Sequence, residues 1–192
     1  MTERRRKRVK HFHEPGDFHE LTFSCFERRP LLRDDERCRL LASSISAALD
    51  GHAFRLYAFV IMPEHVHLLV YPTADPDIGA FVKAIKRPFS FRVKQLLASS
   101  GSRLLQELAV QERPGVVTFR FWQEGPGYDR NLNSPKTILA SLDYLHLNPV
   151  KRGLCGKATD WKWSSARYFL SGGKEVDPDW PTLTRLPSGA VD

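Results

Sequence analysis

The chain has 192 residues, 42% of them hydrophobic, with 29 Lys and Arg against 22 Asp and Glu, a net charge of +7. This length and composition suit a single globular domain. The basic start has no apolar signal region after it, and no apolar run approaches the roughly 18 residues that a spanning helix needs. The three cysteines form no Cys-x-x-Cys pair, which argues against a disulfide framework or a zinc knuckle. We therefore expect a cytoplasmic protein.

Most of the surplus positive charge lies in residues 1–10. Their basic residues are Arg4, Arg5, Arg6, Lys7, Arg8 and Lys10, against Glu3 alone. Such a run can neutralise phosphates and release counterions, which gives sequence-independent affinity for nucleic acid. It is equally typical of a solvated end that keeps a protein soluble. We predict a basic tail over residues 1–16, one domain over 17–170 and a loose Gly- and Pro-containing tail over 171–192.

In chain order, the hydrophobic patterns predict strand, helix, strand, strand, helix, strand. The strands are expected in segments rich in aromatic and branched residues, over residues 19–26, 54–62, 65–71 and 116–122. The helices are expected over residues 34–49 and 77–97, with Asp34 capping the first and Pro88 kinking or breaking the second. This is the order of a ferredoxin-like split βαβ antiparallel sheet, an α+β fold.

A further helix is predicted after these elements. Ser134 is a good N-cap and Pro135 a good first helical residue. The helix would carry an apolar stripe formed by Ile138, Leu139, Leu142 and Leu145. Its end is expected at Asn148, because the residue before a proline is disfavoured in the helical conformation. Tyr144 and Asn148 lie off the centre of the stripe and one turn apart, so both side chains can reach a common point.

Two histidines stand two residues apart in the third predicted strand. Side chains alternate between the faces of a strand, so His65 and His67 share one face and the apolar residues around them take the other. If the apolar face packs on the two helices, the histidines face the open side of the sheet, where the added helix would close over them. Two imidazoles make half a metal site, and Asn148 can supply a third ligand. Structural or surface histidines are the alternative.

Several segments, in this order and spacing, resemble the HUH single-tyrosine transposases, and among them the REP-associated tyrosine transposases. The segments are residues 18–23, 62–70, 121–123, 144–154 and 161–165, so that the resemblance extends over most of the chain. The resemblance implies an HUH endonuclease core in which Tyr144 is the catalytic nucleophile. It also implies that the metal bound by His65, His67 and Asn148 is Mg²⁺ or Mn²⁺, whereas imidazole ligands alone suit zinc and other transition ions as well.

The implied reaction is transfer of a DNA phosphoryl group to Tyr144, which yields a 5′-phosphotyrosine and a free 3′-hydroxyl. That hydroxyl can later reverse the reaction, so strands are rejoined without ATP. The implied partner is single-stranded DNA beside a hairpin or palindromic repeat, bound by a monomer or a homodimer. The basic tail, together with Lys151 and Arg152, would hold DNA phosphates, although basic residues after a helix end are also ordinary surface chemistry.

Two other classes of protein share some of these features. A histidine-triad nucleotide hydrolase has a motif that also begins His-hydrophobic-His, but its third histidine would stand where this chain has Leu69. A catalytically silent ferredoxin-like module that binds hairpin DNA or RNA is the second alternative. The presence of all four site residues, His65, His67, Tyr144 and Asn148, speaks against a loss of catalytic activity. We interpret His146 as structural. Some of the tryptophans can stack on unpaired bases, but packing is favoured for at least two of Trp122, Trp161 and Trp163.

Overall fold

The computed structural model describes residues 16–74 and 77–186, so the predicted basic residues of the amino-terminal tail lie outside the described residues. Within those ranges the strands, in chain order, are β1 (Phe18–Ser24), β2 (Phe54–Ile61), β3 (His65–Pro72), β4 (Ala109–Arg113), β5 (Val116–Phe119) and β6 (Tyr128–Leu132). The α-helices are α1 (Asp35–Gly51), α2 (Ile78–Ser99), α3 (Leu104–Glu107), α4 (Pro135–Lys151) and α5 (Ala166–Leu170).

The main sheet is antiparallel, with strand order β2-β3-β1-β6. This is the predicted ferredoxin-like arrangement, because the first and third strands of the sheet lie at its centre and the second and fourth at its edges. The register between β1 and β3 places Thr22 opposite His67 and Ser24 opposite His65. The α+β fold expected from the sequence is therefore confirmed.

The fourth strand of the sheet is not the one predicted. Residues 116–122 were expected to fill that place, but β5 pairs with β4 in a separate two-stranded sheet, and β6 pairs with β1 instead. The sequence of β6, Tyr-Asp-Arg-Asn-Leu, is mostly polar, and only its last residue is fully buried. An exposed edge strand needs little apolar surface, so hydrophobic periodicity does not reveal it.

The two faces of the sheet bury separate hydrophobic clusters. Val66, Leu68 and Val70 of β3 pack with buried side chains of α1 and α2. On the other face, Leu69 of β3 packs with Ile138, Leu142 and Leu145 of α4. Leu139, which was predicted in the same stripe, is 41% exposed because it lies off the face that α4 buries. Because side chains alternate along a strand, His65 and His67 lie on the α4 side. The prediction that one face of β3 packs on α1 and α2 and the other face on the added helix α4 is confirmed.

Two prolines expected to interrupt helices do not end them. The helix α2 continues through Pro88 to Ser99, and α4 continues through Asn148 and Pro149 to Lys151. A proline inside a helix costs one hydrogen bond and about 3 kcal/mol. Burial of neighbouring side chains opposes that cost, since Phe89 beside Pro88 is fully buried and Pro149 itself is buried.

The segment after α5, predicted as a loose tail, packs on the domain as far as residue 186. Trp180 is buried, its ring meets that of Phe59 with centroids 5.7 Å apart, and its indole N–H donates to the carbonyl of Lys162. The backbone N–H of Thr184 donates to the carbonyl of Leu56 over 2.7 Å. Anchored side chains therefore hold this segment although it contains no helix or strand.

All three cysteines are free, as expected from their spacing. Trp122 and Trp163 are buried, which confirms packing as their role. In the described part of the chain, no helix combines the length and apolar content that crossing a bilayer requires.

Candidate active site

The two predicted histidines are neighbours on β3 at the face covered by α4. Each is only 5% exposed, and their ring centroids lie 4.7 Å apart. The strand places both rings on one side, and the paired strand β1 brings polar side chains alongside them. The strand geometry thus produces a compact pair of imidazoles beneath α4.

The Nδ1 atom of each histidine lies near side-chain oxygen atoms, a carboxylate oxygen at His65 and both a hydroxyl and a carboxylate oxygen at His67. The Nδ1 of His65 is 3.1 Å from a carboxylate oxygen of Glu64. The Nδ1 of His67 is 2.8 Å from the hydroxyl of Thr22 and 3.6 Å from a carboxylate oxygen of Glu20. An imidazole that donates from Nδ1 presents a lone pair at Nε2, and such outer contacts fix the tautomer of histidine ligands in metal sites.

His65 is neutral at physiological pH. Burial, aided by the positive charge that His67 would carry, lowers the pKa of His65 to about 4, although Glu64 acts in the opposite direction. A neutral imidazole keeps its lone pair, and metal ligation requires that pair.

The two carboxylates behind the histidines stay ionised. Burial raises the pKa of Glu20, but the nearby His67 ring and the hydrogen bond from Ser141 together outweigh burial and hold that pKa below its usual value. Burial likewise raises the pKa of Glu64, but Arg152 and His65 outweigh burial, so that the pKa lies below its usual value. Both carboxylates therefore remain acceptors for the rings in front of them.

The helix α4 brings two of the predicted residues against this pair. Its start is defined by Ser134, whose hydroxyl accepts the backbone N–H of Thr137 in a capping box. The side-chain nitrogen of Asn148 lies 3.2 Å from Nε2 of His67. The ring of Tyr144 meets the ring of His67 nearly at right angles, with centroids 5.6 Å apart. The predicted cluster of Tyr144, Asn148 and the two histidines is present.

Tyr144 is 46% exposed, so its hydroxyl can meet a ligand from solution. It lies at an open cleft of about 530 Å³, which we call the histidine cleft. The cleft is lined by Glu20, Thr22, Arg28, His65, His67, Tyr128, Arg130, Tyr144, Asn148, Lys151 and Arg152. Four of these side chains are cationic. Of the two carboxylates beside the histidines, Glu64 is hydrogen-bonded to His65 and Arg152, and Glu20 to Ser141. Such a cleft suits an anionic ligand.

The two basic residues predicted after the helix end both line this cleft. The Nζ of Lys151 lies 5.4 Å from the centroid of the Tyr144 ring. A guanidinium nitrogen of Arg152 lies 2.6 Å from the Glu64 carboxylate, and its side chain remains half exposed. Lys151 thus brings positive charge to the tyrosine, whereas Arg152 also supports the outer contact of His65.

His146, interpreted as structural, points away from the cleft. Its Nε2 is 2.9 Å from the Ser165 hydroxyl, its ring packs on Phe169, and burial lowers its pKa to about 4.

Sequence reasoning did not assign roles to Glu20, Thr22 and Glu64, nor to Arg28, Tyr128 and Arg130. A signal existed for the first two, because Glu20 and Thr22 are polar residues two apart in a predicted strand and so share one face, as the histidines do. Glu64 lies in the turn between β2 and β3, Arg28 in a short 3₁₀ helix after β1, and Tyr128 and Arg130 in the edge strand β6. Only the fold determines where these segments meet.

The donor set fits a divalent metal only if the amide takes part. Across residues 16–74 and 77–186, no group of three or more His, Cys, Asp and Glu side chains is arranged to hold a metal ion. The Nε2 atoms of His65 and His67 are the available imidazole donors, and Asn148 offers an amide whose oxygen and nitrogen exchange places by a half-turn. Two imidazoles and one amide leave coordination positions open.

Comparison with known proteins identifies the family of the chain. The family model for IS200-like transposases matches residues 18–125, more than half of the chain. The protein therefore belongs to the IS200-like transposase family, as its sequence resemblance predicted.

Its relatives include REP-associated tyrosine transposases. The chain is 25% identical over 140 residues to one from Haemophilus influenzae, over 72% of this chain and 73% of that protein. It is 25% identical over 136 residues to one from Escherichia coli K12, over 70% of this chain and 68% of that protein. A solved structure of a REP-associated tyrosine transposase bound to a REP hairpin matches with a TM-score of 0.65 and 20% identity, over 96% of both chains. That match supports the fold.

Proposed function

We propose that this transposase-family protein is a metal-dependent endonuclease and strand transferase that nicks and rejoins single-stranded DNA next to hairpins. The observation that carries the proposal is the exposed Tyr144 beside His67 and Asn148 in a cationic cleft. A phenol placed next to a phosphate-binding site can act as a nucleophile, because pre-positioning replaces a costly bimolecular encounter.

In the proposed step, the hydroxyl oxygen of Tyr144 attacks the phosphorus of a DNA phosphodiester. A bond forms between that oxygen and phosphorus, and the bond from phosphorus to the 3′ oxygen breaks. The phenolic proton passes to solvent, and the departing 3′ oxygen takes up a proton to become a hydroxyl. Lys151 lies beside the Tyr144 ring and would stabilise the negative charge that develops on its oxygen. Attack by the 3′-hydroxyl on the phosphotyrosine reverses the step and rejoins the strand.

We further propose that His65, His67 and Asn148 hold Mg²⁺ or Mn²⁺. When bound, such an ion polarises phosphate oxygens and offsets the charge of the transition state. Glu64, Thr22 and Glu20 serve this role indirectly, because they hold the two rings with Nε2 directed away from the outer contacts.

DNA is proposed as the substrate because the histidine cleft is positively charged and because the chain belongs to a transposase family. Arg28, Arg130, Lys151 and Arg152 bring four cations to one cleft, and clustered Arg and Lys side chains bind the phosphates of a nucleic-acid backbone. The residues 1–10 would add non-specific affinity, and they stay a prediction. Hairpins and palindromic repeats are proposed because the solved relative is bound to a REP hairpin.

A covalent-adduct assay tests the nucleophile. The full chain is incubated with labelled single-stranded hairpin DNA and Mn²⁺, and denaturing electrophoresis separates protein-linked label from free DNA. Tyr144→Phe should abolish the adduct and leave hairpin binding nearly unchanged. Tyr128→Phe is the matched variant, since Tyr128 is the other tyrosine that lines the histidine cleft in the described structure.

The outcomes separate the alternatives. An adduct that persists in Tyr144→Phe and disappears in Tyr128→Phe would assign the nucleophile to Tyr128. Hairpin binding by the wild-type protein with no adduct under any metal condition would favour a silent DNA-binding module.

A further inference from the structure

A second pocket of about 440 Å³ adjoins the histidine cleft. We call it the adjoining pocket, and it is lined by Arg28, Pro30, Arg33, Pro63, Glu64, Arg152 and Leu154. Arg28 and Arg152 line both cavities, so the two cavities are neighbours at these residues. A ligand too long for the histidine cleft can therefore extend past these two arginines to the adjoining pocket.

The backbone at Arg28 is held in an unfavourable conformation. Glu27 and Arg28 both have positive φ values, 53° and 55°, which are rare for residues with a side chain. Hydrogen bonds on either side hold them there: the Arg28 N–H donates to the Cys25 carbonyl over 3.0 Å, and the Glu27 N–H donates to the Gln123 side chain over 3.3 Å. Strained residues that persist beside a binding cleft point to a role there.

The charges of the adjoining pocket favour a phosphate. Among the described residues, neither Arg28 nor Arg33 has an ion pair with a carboxylate, and both are exposed. The acidic residue of the lining, Glu64, is engaged with Arg152 and His65. Two guanidinium groups are therefore available to bind an anion bidentately.

The other walls of the pocket are apolar. Pro30, Pro63 and Leu154 line it, and Leu154 is 41% exposed although it is a large hydrophobic residue. Apolar side chains next to free guanidinium groups suit a ligand with an anionic backbone and flat, weakly polar faces. An unpaired nucleotide has this composition, since its base can pack on apolar groups while its phosphate meets arginine.

We propose that the adjoining pocket is a subsite for the nucleotide next to the cleaved phosphate, with Arg28 and Arg33 as its phosphate contacts. This inference rests on the proposed function, because it takes Tyr144 as the point of cleavage. It makes the two flanks of the cleavage position unequal: nucleotides on one side pass between Arg28 and Arg152. Nucleotides on the other side never reach Arg33.

A length series tests the subsite. Fluorescent single-stranded oligonucleotides share a core that spans the cleavage position and are extended one nucleotide at a time, either 5′ or 3′. Binding anisotropy of the full chain is measured at several salt concentrations. Wild-type affinity should rise with extension on one side, and Arg33→Gln should remove most of that rise on that side alone. The slope of log affinity against log salt should become shallower by about 0.7 for the extended strand.

Two further variants sharpen the result. Arg28→Gln should also weaken binding of strands extended on that side. Lys94→Gln removes an exposed cation from α2, on the opposite face of the sheet, and should lower affinity for all lengths equally or not at all. The same loss in Arg33→Gln for core and extended strands would overturn the subsite, as would an unchanged affinity for every length.

The wild-type adduct assay keeps this failure distinct from failure of the proposed function. An adduct on the core oligonucleotide with no gain from extension on either side refutes the adjoining pocket and leaves cleavage by Tyr144 standing. Absence of the adduct in the wild-type protein refutes the proposed function, and with it the subsite.

Discussion

Asn148 and His67 are 81 positions apart in the chain, yet the amide nitrogen of one lies 3.2 Å from Nε2 of the other. This contact joins α4 to β3 and, one helical turn before Asn148, sets Tyr144 against the His67 ring. The proposed nucleophile and the proposed metal ligands therefore share one structural requirement, the docking of α4 on the open face of the sheet.

Removal of either imidazole should weaken metal binding. His65→Ala and His67→Ala are each expected to lower Mn²⁺ affinity by more than about tenfold, because each deletes a donor. Isothermal titration calorimetry measures the affinity. His52→Ala is the control, since its ring packs on Phe81 on the other face of the sheet. Unchanged affinity in both site variants would mean that the pair is structural.

The carboxylate of Glu20 should position His67. It lies 3.6 Å from Nδ1 of that ring and accepts the Ser141 hydroxyl over 3.0 Å. Glu20→Gln is expected to lower Mn²⁺ affinity by about 10- to 100-fold, the usual effect of losing an outer partner of a ligand. Glu112→Gln, which alters an exposed carboxylate on β4, should bind metal like the wild type. Equal affinity in both variants would show that Glu20 does not act through His67.

Stability should fall as the pH drops below neutrality, in part through His146. Its folded-state pKa is about 4 against an ordinary 6.5, because burial disfavours the charged ring. Below pH 6.5 the unfolded chain therefore gains a proton that the folded chain does not, and stability is lost progressively until about pH 4. The limit for this one group is about 3 kcal/mol.

Urea unfolding of the wild type and of His146→Gln between about pH 7 and pH 5 measures this contribution. The variant should show a shallower decline with falling pH, with His65 accounting for part of what remains, since its pKa is lowered in the same direction. Parallel declines in the two proteins would contradict the assignment to His146.

Glycine at position 27 should stabilise the fold. Glu27 has a φ of 53°, which costs an L-residue about 1 kcal/mol relative to glycine, so Glu27→Gly is expected to raise the free energy of unfolding by about that amount. Lys94→Gly, at an exposed position inside α2, should lower it by about 1 kcal/mol, because glycine is a poor helix former. A loss of stability in both variants would show that residue 27 is not strained.

Much of the candidate site was readable from local sequence, because short-range geometry is periodic. A strand puts His65 and His67 on one face whatever the rest of the chain does, and a helix puts Tyr144 and Asn148 one turn apart. The caps at Asp34 and Ser134 were predicted for the same reason, since each accepts a backbone N–H three residues ahead. These features depend on neighbours a few positions away.

Only the tertiary structure decided which of these local elements meet. The polar β6, rather than the apolar β5, completes the main sheet, because an edge strand is chosen by backbone pairing with β1 and not by its own hydrophobicity. The helix α4 runs past Pro149 because packing offsets a local preference to stop. The contacts of Glu20 and Thr22 with His67 likewise join residues about 45 positions apart, a distance at which sequence periodicity carries no information.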